Sequence, residues 1–186
     1  MDYLALAQHC APKLDSALVV RLVRRESSFN PFAIGLDGRQ SLTPQPQSFD
    51  EAVEVAERLI QQGISFSAGV GQLHITNIRR FGLTWRQVFH ACTNLSYAQT
   101  IFLYYHGQAL TAGLQGDDAV FAALRGYNSG NINAAISNNY AAAILARPTS
   151  IQASISAPRR HVNAAAPAFS SNAQARADES KEFFEE

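Results

Sequence analysis

Leu22–Gly35 reads LVRRESSFNPFAIG, and the placing of its acidic residue, Glu26, decides how the chain is read. Leu14, Leu18 and Leu22 recur at i, i+4 and i+8, and Val19 and Val23 recur at i and i+4 beside them. Side chains so spaced share a helical face. The pattern predicts a helix from about Asp15 to Ser28, with Asp15 or Ser16 as N-cap. Glu26 comes next on the valine row, while Arg21, Arg24 and Arg25 face elsewhere. Pro31 is expected to stop the helix, because proline lacks the amide donor and turns the preceding residue away from the α region. A carboxylate at the inward-facing end of an apolar stripe is desolvated, which raises its pKa and keeps a proton on it near neutral pH. That is what a general acid requires. Taken alone, a glutamate on an apolar face reads more readily as half of an ion pair.

The 186 residues suit one domain plus a tail, long enough to bury a core without metal or many disulfides. Lys+Arg and Asp+Glu both number 15, so the formal net charge is zero. The basic surplus usual in nucleic-acid binders is missing, and no nucleic-acid partner is expected. No apolar run approaches a membrane span. The opening MDYLALAQHC lacks a basic region followed by a sufficient apolar one, so it does not read as an intact secretion signal. Cys10 and Cys92 form one distant pair, which permits a single disulfide or two buried thiols; both readings stand. His9, His74, His90 and His106 are scattered without ligand spacing, so neither metal nor another cofactor is expected. The pairs Arg24-Arg25, Arg79-Arg80 and Arg159-Arg160 read as solvated faces.

Along the chain, Met1–Ala11 reads as a short helix leading to Pro12. Asn30–Gln47 reads as a loop, with a short hairpin expected at the turn dipeptide Asp37-Gly38. Ser48 and Glu51 match a capping box for a helix with Ala52, Val55, Ala56, Leu59 and Ile60 inward, ended by Gly63. Thr84 and Gln87 match a second box, opening a turn with Trp85, Val88 and Phe89. The longest helical run, Asn94–Ala112, is apolar over a wide arc and is expected at the centre of the core. Asp117 or Asp118 reads as cap of the next helix, and GYNSGN (Gly126–Asn131) as a turn. A last Ala-rich helix is expected near Asn133–Arg147. From Pro148 on, Ala, Ser, Asn and Arg dominate, which reads as a flexible tail over 148–186. The expected fold class is mainly α, with a small β hairpin or sheet from 35–47 and 64–75, in one domain over 1–147.

Three segments stand out in order: Glu26-Ser27-Ser28-Phe29-Asn30-Pro31, Gly69-Val70-Gly71-Gln72-Leu73 and Tyr127-Asn128-Ser129-Gly130. Together they resemble the lytic transglycosylases of the goose-type lysozyme superfamily, whose patterns are E-S-x-x-N-P, G-L-x-Q-I and A-Y-N-x-G. The segments LAQHCAP, RQSLTPQPQSFDEAVEVAERLIQQGISFSAGVGQ, ITNIRRFGLT and Cys92–Leu95 extend the resemblance to the VirB1 branch, which serves type IV secretion and conjugation machines. It covers roughly residues 5–146. It implies a lysozyme-like domain in the periplasm, with peptidoglycan glycan strands and other envelope components of a secretion system as partners. It implies Glu26 as the catalytic acid and Ser27 as a support for the helix end or the carboxylate. Gly69, Gly71 and Gln72 would form the floor of the sugar groove, Tyr127 would sit against the acid, and Asn128 would brace the turn. In the oxidising periplasm a Cys10–Cys92 bridge would form. Val70, Leu73 and Gly126 depart from the usual Leu, Ile and Ala, and Ser67 and His74 stand where relatives often carry Asp and Asn. These departures leave room for a wall-binding module that has lost activity. The implied reaction cleaves the β-1,4 bond of peptidoglycan and leaves a 1,6-anhydro end; a lysozyme-like hydrolase is the neighbouring reading.

Overall fold

The computed structural model describes residues 2–38 and 42–145. The segment 39–41 and everything from residue 146 on, including the expected tail and the end of the last helix, lie outside the described residues. The chain is mainly helical with a small antiparallel sheet, as the apolar spacings predict. Among the described residues eight α-helices run in order: α1 (Tyr3–Cys10), α2 (Ser16–Ser27), α3 (Phe49–Gln61), α4 (Ile75–Arg80), α5 (Trp85–Val88), α6 (Ala91–Thr111), α7 (Gly116–Ser129) and α8 (Asn138–Leu145). A 3-10 turn, Ala135–Ser137, precedes α8. No helix among the described residues is long and apolar enough to cross a membrane.

Side-chain caps set several of the helix starts. Asp15 accepts from the Leu18 amide at 2.7 Å, and Thr84 with Gln87 makes the reciprocal capping box expected of them. At α3 only half of the expected box forms. Ser48 Oγ accepts from the Glu51 amide, but the Glu51 carboxylate reaches back to the Gln47 amide at 2.8 Å rather than to that of Ser48. Helix α7 is capped by neither aspartate. Gln115 is its N-cap without a side-chain bond, and Asp117 and Asp118 lie in the first turn, where their charge complements the helix dipole.

The sheet has strands β1 (Ile34–Leu36), β2 (Phe66–Ala68) and β3 (Leu73–His74) in sequence order. Ile34 pairs with Ala68 and Leu36 with Phe66, so the partner of β1 arrives after α3. The local hairpin expected at Asp37-Gly38 is not what closes the sheet. The Asp37 amide instead donates to Ser65 O at 3.2 Å, so the chain leaves and re-enters at one sheet edge. Against the sheet, Ala52, Ala56 and Leu59 of α3 pack with Phe66, Leu73, Ile78 and Val88. Ile60, expected inward, is exposed, because the stripe of α3 narrows at its last turn.

Helix α2 is shared between two other cores. Val19 and Val23 pack with Ala7, Cys10, Val70 and Leu95, while Leu18 and Leu22 pack with Phe102, Leu124, Tyr140 and Ile144. The two rows read from the sequence thus face two different sets of neighbours. Helix α6 contributes to all of these cores, and Cys10 at the end of α1 is disulfide-bonded to Cys92 in its first turn.

Candidate active site

Glu26 sits in the last turn of α2, four residues after Leu22, so it continues the leucine row rather than the valine row expected to carry it, and it meets Tyr140 of the core that Leu18 and Leu22 share. The helix ends before Pro31 acts. Ser28 (φ 49°) and Phe29 (φ 68°) both take left-handed backbone, and the Ser28 amide closes onto Arg24 O. Such backbone is costly for residues other than glycine, and the surroundings hold it. The Tyr3 hydroxyl donates to Phe29 O at 2.5 Å, and the two rings lie 4.7 Å apart. Asn30 Oδ1 accepts from the Phe32 amide at 2.9 Å, a side-chain turn that starts the loop. Ser27 is buried and its hydroxyl donates to Val23 O at 3.2 Å, so it supports the helix end rather than the carboxylate.

Burial pushes the Glu26 carboxyl up to about 7, against the opposing pull of a Tyr140 hydrogen bond and the Arg25 charge. The side chain nonetheless keeps partial solvent access, so the acid is reachable. The Tyr140 hydroxyl, from α8, donates to Glu26 Oε1. Tyr140 and Tyr127 are both held well above the usual tyrosine value, by burial first and by the Glu26 charge second. Both therefore stay protonated donors at any ordinary pH. The Tyr127 hydroxyl donates its hydrogen bond to Gly71 O at 2.5 Å, not to Glu26, so it acts as a wall of the site.

Gly69–Gln72 forms the turn between β2 and β3. Gly69 has φ +82°, and Gln72, with a side chain, has φ 51°. Gln72 Nε2 donates to Ala33 O at 3.0 Å and to Gly69 O at 2.8 Å, tying the turn to the strand after the acid's loop. The donors of this amide are engaged with backbone, and Gln72 holds the turn in shape.

The third segment corrects the sequence reading. Gly126, Tyr127, Asn128 and Ser129 are the end of α7, not a turn, and the turn begins at Gly130 with φ +77°. Gly126 serves close packing: a Cβ there would stand 2.5 Å from the Tyr105 ring of α6. Asn128 Nδ2 donates to Ser137 Oγ at 2.9 Å, so the bracing expected of it runs from helix to 3-10 turn.

The structure thus gathers Glu26 and Tyr127 around one point and holds the Gly69–Gln72 turn to Tyr127. Two residues escaped the sequence reading. Tyr140 is the aromatic residue of the Ala-rich last helix, and that isolation is the one signal it carries. Asn94 is fully buried in the first turn of α6. Asp37, the nearest second carboxylate in sequence, is engaged with His74 Nε2 at 3.0 Å across the sheet. Among the described residues no cluster of His, Cys, Asp and Glu is arranged to hold a metal ion.

A family profile described as "Transglycosylase SLT domain" matches residues 4–147. The chain belongs to this transglycosylase family. Within it, the domain is VirB1-like. It is 37% identical over 133 residues to the type IV secretion system protein virB1 of Brucella abortus, covering 70% of this chain and 55% of that protein. The same values hold for the virB1 protein of Brucella suis. The virB1 protein of Agrobacterium fabrum is 26% identical over 137 residues, covering 72% of this chain and 54% of that protein. The chain spans about half the length of the curated relatives it matches. The comparison with solved structures finds no significant match. Family membership and the mainly α, lysozyme-like fold agree with the ordered segments that first pointed to them.

Proposed function

We propose that the domain is a peptidoglycan lytic transglycosylase that cleaves the β-1,4 bond between N-acetylmuramic acid and N-acetylglucosamine and leaves a 1,6-anhydro end. The observation that carries this reading is the Glu26 carboxyl, poised at about 7 with one oxygen tied to Tyr140. At neutral pH such a group is half protonated and serves as acid and as base with little cost in either direction. Because Oε1 accepts the Tyr140 proton, the carboxylic proton resides on Oε2. Glu26 Oε2 donates it to the glycosidic oxygen as the C1–O bond breaks. The N-acetyl oxygen of the muramic acid supports the developing positive charge at C1. The resulting carboxylate then takes the proton of the same sugar's C6 hydroxyl, whose oxygen bonds to C1 and closes the anhydro ring. Acid and base are one residue, and the nucleophile belongs to the substrate, so proximity favours ring closure over water attack.

Glycosidases that hydrolyse commonly place two carboxylates at the bond. Among the described residues the groups that shift Glu26 include no second carboxylate, and Asp37 is engaged elsewhere. Both facts support the single-acid route. The name of the Brucella relatives, type IV secretion system protein virB1, supports a role beside such an apparatus; a domain that opens the wall locally for a secretion or conjugation machine would work in the periplasm. The disulfide suits that oxidising compartment. By the same resemblance, the Gly69, Gly71 and Gln72 turn, Tyr127 and Asn128 are proposed to border the bound glycan, with Ser27 supporting the helix end that carries the acid.

The test is the mass of muropeptides released from purified sacculi. Wild type is expected to release 1,6-anhydro products, and Glu26→Gln to release essentially none while still folding. Products with reducing ends would replace the transglycosylase by a hydrolase. Pelleting with sacculi and no release by wild type would favour a binding module.

A further inference from the structure

Asn94 makes three hydrogen bonds, all to the backbone of segments around the site. Its Nδ2 donates to Val88 O at 2.7 Å and Ala68 O at 3.2 Å, and its Oδ1 accepts from the Gly71 amide at 2.7 Å. Gly71 is thereby held from both sides, its N–H by Asn94 and its carbonyl by the Tyr127 hydroxyl. A buried amide that satisfies three backbone groups is by itself ordinary packing. The glycines show more. A Cβ at Gly69 would stand 2.1 Å from Asn94 Nδ2 and 2.5 Å from Val88 O. A Cβ at Gly71 would stand 3.0 Å from Asn94 Oδ1 and 3.3 Å from the Tyr127 hydroxyl. The absent side chains make room for this amide and this hydroxyl. The glycines of the turn are therefore explained from inside the protein, without a glycan approaching the backbone.

We propose that Asn94 is a positioning residue: by fixing the Gly71 peptide it fixes the Tyr127 hydroxyl, and with it the wall beside the Glu26 carboxyl. The groups that act electrostatically around that carboxyl are Tyr140 from α8, Tyr127 from α7 and Arg25 from its own helix. Asn94 acts on none of them directly except through Gly71 and Tyr127. Only the kinetic readout of this proposal rests on the transglycosylase reading.

The test is a carbon NMR titration of the Glu26 carboxyl, assigned by its loss in Glu26→Gln, in wild type, Asn94→Ala, Tyr127→Phe and the double variant. Loosening the wall admits water, so Asn94→Ala is expected to lower the Glu26 midpoint by about one pH unit. The double variant is expected to move no further than the larger single one, because both act on one peptide. In glycan release, kcat is expected to fall about tenfold or more with KM changed less. A wild-type midpoint in folded Asn94→Ala, or shifts that add in full, would overturn the proposal. If Asn94→Ala does not fold, Gly71→Ala decides. It keeps every hydrogen-bonding group and pushes the same peptide off Asn94 and off Ala98, whose Cβ would be 2.9 Å away. The same downward shift supports the proposal and an unmoved midpoint ends it. Persistent glycan release by Glu26→Gln would defeat the transglycosylase reading alone, since the titration needs no substrate.

Discussion

Glu26→Gln keeps the shape of a side chain whose ionisation the fold opposes, so it should stabilise the protein, and more so at higher pH. The carboxyl titrates at about 7 in the folded chain against an ordinary value of 4.5. Between these values the folded state holds a proton that the unfolded chain has released. Stability therefore falls as pH rises from 4.5 to about 7, with no penalty below the first value and the whole of it above the second. At 1.36 kcal/mol per pH unit the gap corresponds to about 3 kcal/mol. Residual solvent access at Glu26 brings this down to about 2 kcal/mol. The glutamine carbonyl still accepts from the Tyr140 hydroxyl, so the substitution removes the charge penalty and little else. For a chain of this size the gain corresponds to a melting temperature about 4–8 °C higher at pH 8. Near pH 4.5 the two proteins should melt together. Scanning calorimetry at pH 4.5, 6 and 8 and constant ionic strength measures the difference. An equal offset at every pH, or a variant less stable than wild type at pH 8, would refute the desolvated acid.

Tyr140→Phe removes a bond that favours the ionised carboxyl. Hydrogen bonds to charged groups exceed neutral ones by about 1–1.5 kcal/mol, so the Glu26 midpoint should rise by about one pH unit in an NMR titration; a fall would contradict the placing of that hydroxyl. At pH 7 about a tenth of the variant would then be ionised, and the step that needs the carboxylate should slow accordingly. The Cys10–Cys92 bridge spans 82 residues of sequence, and chain entropy gives its loss a cost of about 4 kcal/mol. Urea unfolding of the Cys10→Ser, Cys92→Ser double variant should show this as a lower midpoint that no longer responds to reductant.

The acid helix was legible because two apolar rows at helical spacing mark its inward side, although Glu26 extends the leucine row and not the valine row expected of it. The Thr84–Gln87 box and the wide apolar arc of α6 were legible for the same reason: local chemistry and tertiary role agree there. Where they part, the sequence misleads. Gly126, Asn128 and Ser129 are turn formers by composition, yet they close a helix, because Gly126 is there to admit the Tyr105 ring. Asp37-Gly38 has the chemistry of a hairpin, but the partner of β1 lies some thirty residues on and no local signal names it. Tyr140 and Asn94 each act across the fold, on Glu26 and on Gly71. Nothing in their immediate neighbours marks them, since what matters is the distant backbone or carboxylate they meet.

The β1–β2 pairing carries a consequence for how this chain tolerates changes of length. Residues 37–65 form an excursion that departs and rejoins within one hydrogen bond, Asp37 to Ser65. Its helix is anchored by Ala52, Ala56 and Leu59, and its approach is pinned as well, Gln45 bonding both the amide and the carbonyl of Ile34 and Asn30 donating to Pro46 O, whereas the return, residues 62–65, is exposed. Insertions at residues 62–64 would leave both anchoring strands, and hence the acid and the glycine turn, in register. A reporter peptide or affinity tag grafted at the excursion's return, residues 62–64, rather than at a terminus, would ride on the domain without displacing Glu26.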